Sequence, residues 1–164
     1  MRRTLELARR LAFAAAVVAC AALASCRRTA SGALPACPAG AVMMGAPPPR
    51  GEEQWCQKTV NGKPVKDGVF VVYGEGGDRM IEGYYHDGVQ VGEWTLWYEN
   101  GRRASIDRYV NGVRDGPHTS WYANGVKSIE GNYRNGRRDG AWTRWDPLGI
   151  TSRREVYRDG RRVR

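Results

Sequence analysis

Histidine, phenylalanine and long apolar runs are all scarce in this chain of 164 residues. It has 2 His, 2 Phe and 4 Cys. His86 and His118 are too few and too scattered to build a metal site or an acid–base pair from the usual ligand spacings. There is no Gly-x-Ser-x-Gly elbow, no His-Glu-x-x-His helix and no phosphate-binding loop. The sequence therefore predicts no catalytic residue, no cofactor and no metal. The one sustained apolar stretch, Leu11 to Leu23, covers 13 residues, which is short for a membrane-spanning helix.

That stretch follows Arg2, Arg3, Arg9 and Arg10, the layout of an export signal. Two cleavage chemistries compete at its end. Ala22-Leu23-Ala24 suits an ordinary small-residue site, whereas Leu23-Ala24-Ser25-Cys26 resembles the bacterial lipobox, whose cysteine is lipidated. Parity separates them. Using Cys26 as the lipid anchor leaves Cys37 and Cys56 as an even pair, while cleavage after Ala24 or lipidation at Cys20 leaves an odd thiol. The expected organisation is a lipoprotein signal peptide over 1–25, a tether over 26–36, a cap segment over 37–64 closed by a Cys37–Cys56 disulfide, and repeats over 65–164. Arg27 follows Cys26 in place of the Asp that commonly marks inner-membrane retention. This predicts a lipid-anchored envelope protein, outer-membrane if the source has one, facing the periplasm or the surface.

Abundance begins at glycine, with 21 residues, and at Trp and Tyr, with 6 and 8. Their order is periodic. Gly68, Gly92, Gly116 and Gly140 step by 24 residues, as do Gly77, Gly101, Gly125 and Gly149, and Gly88, Gly112, Gly136 and Gly160. Tyr73, Trp97, Trp121 and Trp145 form one aromatic column, Tyr85, Tyr109, Tyr133 and Tyr157 a second, and Phe70, Trp94, His118 and Trp142 a looser third. A fixed period of this length is the mark of a stacked repeat architecture.

Each copy spells a β-hairpin. Trp94 to Tyr98 is rich in aromatic and β-branched residues, Asn100-Gly101 offers two positions tolerant of positive φ, and Arg103 to Val110 returns. Asn111 to Gly116 reads as a six-residue connector to the next copy. The expected fold class is all-β, an elongated single-layer antiparallel meander of stacked hairpins. Alternation places Val71 and Tyr73, Thr95 and Trp97, Thr119 and Trp121, and Thr143 and Trp145 on one face, read as the stacked one. The opposite face, with Trp94, Tyr98 and Tyr122, is read as wet and as the candidate ligand contact. Gly83 and Gly131, two residues before Tyr85 and Tyr133, leave bare backbone for a neighbouring ring to cover.

The pattern Gly-x-Trp-x-x-Trp-Tyr-x-Asn-Gly, closed by Tyr-x-Asn-Gly-x-x-x-Gly, resembles the variant MORN repeat of bacterial proteins often named YwqK-type antitoxins. Gly74, His118 and Asp146-Pro147-Leu148-Gly149 depart from it. The resemblance implies stacked hairpins that serve as a binding, membrane-associating or scaffolding surface.

Alternative chemistries are weaker. Pro38, Gly40, Gly45 and Pro47 to Pro49 make the cap segment a turn-rich loop over the open edge of the first repeat, and its cysteine spacing is not that of a redox pair. Asp67, Asp115 and Asp139 recur in connectors where calcium could bind, but one carboxylate per turn beside Arg114, Arg137 and Arg138 is a poor set for a hard cation. Without residues 1–26 the formal charge of +9 becomes 22 minus 16, or +6, and the C-terminal end is the more basic, with Arg153, Arg154, Arg158, Arg161, Arg162 and Arg164. Export removes nucleic acid as a natural counterpart and leaves anionic envelope surfaces. The functional expectation is a non-catalytic interaction or scaffold module, anchored to the membrane by its N-terminal lipid, with an unknown envelope protein as partner. The alternative is a module that binds envelope glycans through exposed Trp and Tyr.

Overall fold

The computed structural model describes residues 33–163. The expected signal peptide, Cys26 and the first part of the tether lie outside them. Among the described residues there is no helix. Twelve antiparallel strands form one open sheet: β1 Val42–Gly45, β2 Glu53–Val60, β3 Lys63–Tyr73, β4 Arg79–His86, β5 Val89–Trp97, β6 Arg103–Val110, β7 Val113–Trp121, β8 Lys127–Arg134, β9 Arg137–Arg138, β10 Gly140–Trp145, β11 Thr151–Arg158 and β12 Arg161–Arg162. Spatial order follows chain order, with the short β9 pairing β8 beside β10. The expected all-β meander of stacked hairpins is the observed fold.

The turns differ from expectation in a way that defines the two edges. The predicted six-residue connector is a two-residue turn. Asn111 and Gly112 have φ of 48° and 78°, and β7 begins at Val113, its first residues already in the ladder. Asn tolerates the left-handed region and Gly enters it freely, as this turn class demands. Asn100, by contrast, keeps a negative φ. Its Oδ1 accepts the Arg102 N–H at 3.1 Å, so only Gly101 turns left-handed.

Both edges are stitched at the repeat period. On one, the N–H groups of Gly88, Gly112, Gly136 and Gly160 donate to the carbonyls of Lys66, Gln90, Arg114 and Arg138 at 2.8–2.9 Å. On the other, Tyr98 and Tyr122 donate their hydroxyls to the carbonyls of Trp121 and Trp145, each at 2.8 Å. Asn100 and Asn124 donate to the carbonyls of Ala123 and Pro147, each at 2.9 Å. Sequence periodicity thus becomes a physical bond from each turn to the turn one hairpin away.

The cap segment is not the loop that its prolines and glycines suggest. It supplies β1 and β2, which pair with each other and onto β3. The Cys37–Cys56 disulfide forms as expected, with a Cα separation of 5.5 Å. It holds Leu34, Cys37 and Ala41 against buried Cys56, Val69 and Val71, the one compact apolar cluster among the described residues. Closing about 20 residues contributes roughly 3 kcal/mol in the chain-entropy picture.

Candidate functional site

The faces of the sheet follow from the register. Phe70 pairs with Gly83, Trp94 with Asp107, His118 with Gly131 and Trp142 with Glu155. These residues share a face with Tyr85, Tyr109, Tyr133 and Tyr157, and it is the densely packed one. Trp94 is only 6% exposed and Trp142 only 4%. The expected wet face is therefore the aromatic core, and Trp94 is corrected from candidate ligand contact to core residue. Alternation separates two faces but does not say which one the neighbours will cover.

What buries the indoles is missing side chain. Residues of one column lie two strands apart, about 10 Å, too far for rings to meet over an ordinary residue. At Gly83 and Gly131 nothing stands between. A Cβ on Gly83 would fall inside the Trp94 indole, and one on Gly131 inside that of Trp142. Phe70 and Trp94 consequently approach to 5.8 Å between centroids, and His118 and Trp142 to 5.6 Å at an interplanar angle of 24°. Tyr85 meets Trp94 edge-on at 5.2 Å, and Tyr133 meets Trp142 at 5.0 Å. Tyr109 and Tyr157 close the two groups at 6.0 and 6.3 Å. The bare backbone expected at these glycines is covered as anticipated, and the tyrosines at 85, 109, 133 and 157 pack edge-on against the neighbouring rings, with no contact among themselves in the described residues.

The column of Tyr73, Trp97, Trp121 and Trp145 behaves differently. Among the described residues no ring–ring contact joins its members, which corrects their assignment as a stack. Their cross-strand neighbours are Arg79, Arg103, Lys127 and Thr151, so a side chain stands at every rung, a long basic one at the first three, where the other column has Gly83, Asp107, Gly131 and Glu155. Lys127 Nζ sits 5.4 Å from the centre of Trp145. Tyr73 donates its hydroxyl to Gln54 Oε1 at 2.6 Å. Tyr98 and Tyr122, the other two candidate ligand contacts, are half-buried with their hydroxyls committed to the edge stitches.

Between the two aromatic groups sits a polar rung. Asp107, 5% exposed, replaces the glycine found at 83 and 131, and His118 replaces the tryptophan. His118 Nδ1 lies 2.9 Å from Asp107 Oδ1, and Arg114 Nε lies 3.3 Å from the same oxygen. The carboxylate fills the gap that the indole fills elsewhere, so no ring contact crosses from Trp94 to His118. His118 keeps the stacking role expected of its column, on Trp142 and Tyr133.

Cations roof the aromatic face. Lys66 Nζ stands 4.1 Å from the Phe70 centroid, the Arg114 guanidinium 5.4 Å from Tyr133, and that of Arg138 4.4 Å from Trp142. Arg114 and Arg138 also donate to the hydroxyls of Tyr109 and Tyr157, each at 3.2 Å. Basic heads over ring faces add cation–π attraction and leave those faces closed to other planar or sugar ligands.

The connector acids are turn fasteners. Asp67 accepts the Asp87 N–H at 2.9 Å and pairs with Lys58 at 3.0 Å. That backbone hydrogen bond, followed by Lys58, holds its carboxyl below the usual range against the opposing effect of burial. Exposed His86 lies 3.2 Å from the same carboxylate. Asp115 accepts the Asn135 N–H at 3.1 Å, and Asp139 pairs with Arg134 at 3.2 Å. Among the described residues no three acids, histidines or cysteines gather as a metal-ligand group.

One rung escaped the sequence reading. β2 and the Asn61-Gly62 turn repeat the connector design ahead of the first counted copy, with Asn61 at a φ of 51°. The signal was present as Asn61-Gly62 followed by Asp67-Gly68, but two extra residues put it off the 24-residue step.

No curated protein matches the chain. Among solved structures it is similar to a glycosylation-associated protein complex from Streptococcus agalactiae, with 20% identity over 68% of this chain and 20% of that chain, at a TM-score of 0.37. It is also similar to accessory secretory protein 1, 2 and 3 of Streptococcus pneumoniae, with 17% identity over 68% and 20% of the two chains and a TM-score of 0.37. The chain thus spans about a fifth of the length of either structure. At the level of family, residues 90–111 and 114–135, two successive units running from β5 to the turn after β8, match the MORN repeat variant.

Proposed function

We propose that this protein is an exported lipoprotein, anchored at Cys26, whose repeat sheet is a non-catalytic interaction or scaffold module of the bacterial cell envelope. The observation that carries the interaction reading is how the side chains are used. Rings, cations and acids of successive hairpins are spent on one another, and among the described residues no group of them converges on a reacting position. The match to the MORN repeat variant supports it. The Cys37–Cys56 disulfide supports an oxidising compartment, since such bridges persist outside the reducing cytosol. The lipobox at Leu23 to Cys26 supports the anchor.

The glycan-binding alternative loses its best candidate with the burial of Trp94, and Tyr98 and Tyr122 are tied into the edges. Two measurements test the proposal. Metabolic labelling with a fatty-acid analogue should mark the wild-type chain and not Cys26→Ala. Crosslinking in intact cells followed by affinity capture should recover a defined envelope protein. An unlabelled chain in the soluble fraction would remove the anchor, and recovery of nothing above background would remove the scaffold.

A further inference from the structure

One rule places the roof cations of the aromatic face. A residue directly across from one tyrosine lies over the ring four places further along the chain and beside the tyrosine one hairpin on. Arg138 is opposite Tyr133, stands 4.4 Å from the Trp142 centroid and 5.3 Å from that of Tyr157, and donates to the Tyr157 hydroxyl at 3.2 Å. Arg114 is opposite Tyr109, donates to its hydroxyl at 3.2 Å and lies 5.4 Å from the Tyr133 centroid. Lys66 keeps the same place over Phe70 and beside Tyr85, at 4.1 and 5.4 Å.

Gln90 breaks the rule. It is opposite Tyr85 in the register, and the box of rings it enters is built like that of Arg138. Tyr85 meets Trp94 edge-on at 5.2 Å and Tyr109 closes at 6.0 Å, against 5.0 and 6.3 Å for Tyr133 and Tyr157 around Trp142. Yet among the described residues no cation lies over Trp94, and no hydrogen bond holds the Gln90 side chain or the Tyr85 hydroxyl. Nε1 of Trp94 is buried without an acceptor, where that of Trp142 donates to the Asn132 carbonyl at 3.2 Å. Acid is at hand, since Asp107 pairs with Trp94 in the register as Glu155 pairs with Trp142. The box is complete in its rings and lacks the charge that its copies hold.

We propose that the box of Tyr85, Trp94 and Tyr109 docks one arginine side chain of a partner protein, whose guanidinium displaces Gln90 and takes the position that Arg138 has over Trp142. Trp94 is 6% exposed, so a guest must move the residue in the roofing place, and no hydrogen bond of the Gln90 side chain opposes that. A flat guanidinium suits the box better than an ammonium, because it covers the indole and donates in its own plane to the Tyr85 hydroxyl at once. Cations on successive rungs are tolerated, as Arg114 and Arg138 show at a spacing of two strands, about 10 Å. A basic run would meet Lys66 and Arg114 on both sides, so a single arginine is selected. This inference rests on the reading of the sheet as an interaction module and names the group that it recognises.

The test uses the full-length chain in mild detergent, heteronuclear NMR of the indole N–H groups, and a Gly-Ser-Arg-Ser-Gly peptide blocked at both ends. The Trp94 signal should move saturably. Replacing arginine by citrulline, which keeps the shape and removes the charge, should weaken binding about tenfold or more, as for losing a desolvated cation over a ring. Gln90→Arg should fill the box from within and abolish the response, whereas Gln90→Ala should preserve it. Arg138→Gln should open the equivalent box, so that the Trp142 signal responds as well; should that variant not fold, the two Gln90 variants decide. A Trp94 signal unmoved by the peptide, equal binding of the citrulline peptide or of choline, and undiminished binding by Gln90→Arg would each overturn the proposal. So would tighter binding of an oligoarginine peptide, or a Trp94 shift that follows protein concentration without peptide, which would make a second copy the guest. Failure here leaves crosslinked capture of an envelope partner through another surface intact, and failed capture leaves peptide binding measurable, so the two readings fail separately.

Discussion

At the amino-terminal end Phe70, Tyr85 and Trp94 close over Gly83, and at the carboxyl-terminal end His118, Tyr133 and Trp142 close over Gly131. The groups share a plan, yet among the described residues only the first is backed on the other face, where Leu34, Cys37 and Ala41 cover Val69 and Val71. The second has a roof of arginine and, among the described residues, no such cluster behind it. The β2–β3 end of the sheet is thus a two-sided core stapled by a disulfide, and the strands that follow form, among the described residues, a single layer in which rings, cations and turn bonds stand in for a second layer. Burial of a tryptophan in such a layer depends less on its own position than on whether the residue between it and the next ring is absent.

The comparison can be broken at several points. Removing the staple with Cys37→Ser and Cys56→Ser should cost about 3 kcal/mol by the loop-closure estimate. Hydrogen exchange should show the loss in β1 to β3, with β7 to β11 unaffected; uniform loss would mean the halves are not separable. Gly83→Ala and Gly131→Ala should each cost about 2 kcal/mol or more by overpacking, because the indole above has no free space to enter. Equal urea midpoints for mutant and parent would show that the rings shift freely.

The polar rung sharpens the contrast. Asp107→Gly alone should destabilise by about 1–2 kcal/mol, since His118 and Arg114 lose their shared acceptor. Adding His118→Trp to it should recover most of that and fuse the two aromatic groups, visible as a non-additive double-mutant cycle. Tyr98→Phe, removing one edge stitch, should cost about 1 kcal/mol.

The smallest effect concerns acid. Asp67 has a folded pKa depressed below its unfolded value, so its contribution is present above the unfolded pKa and is lost as pH falls through the folded one. Acid titration of stability should therefore have a shallower limb in Asp67→Asn, and identical limbs would discount the Asp87 N–H and Lys58 contacts.

Much of this was legible before the structure. The repeat strands, the places of their turns, the disulfide and the role of Gly83 and Gly131 follow from period and residue type. The packed face did not, because Trp94 and Trp97 are equally aromatic and alternation carries no sign. The deciding clue is an eleven-residue spacing that joins Gly83 to Trp94, Gly131 to Trp142 and Asp107 to His118, linking each ring to the residue beneath it. β2 was hidden because proline and glycine in the segment before it argue for a loop, while its pairing is imposed by the ladder on β3. The turn at Asn100 was misread because an Asn-Gly pair does not reveal whether the Asn side chain will cap its own turn.

The edge stitches reach one hairpin and no farther, from Gly112 to Gln90 and from Gly136 to Arg114. A unit excised or duplicated in the middle would present the same seams to both neighbours. Length is then a quantity that recombination can adjust, one hairpin at a time, without breaking those stitches.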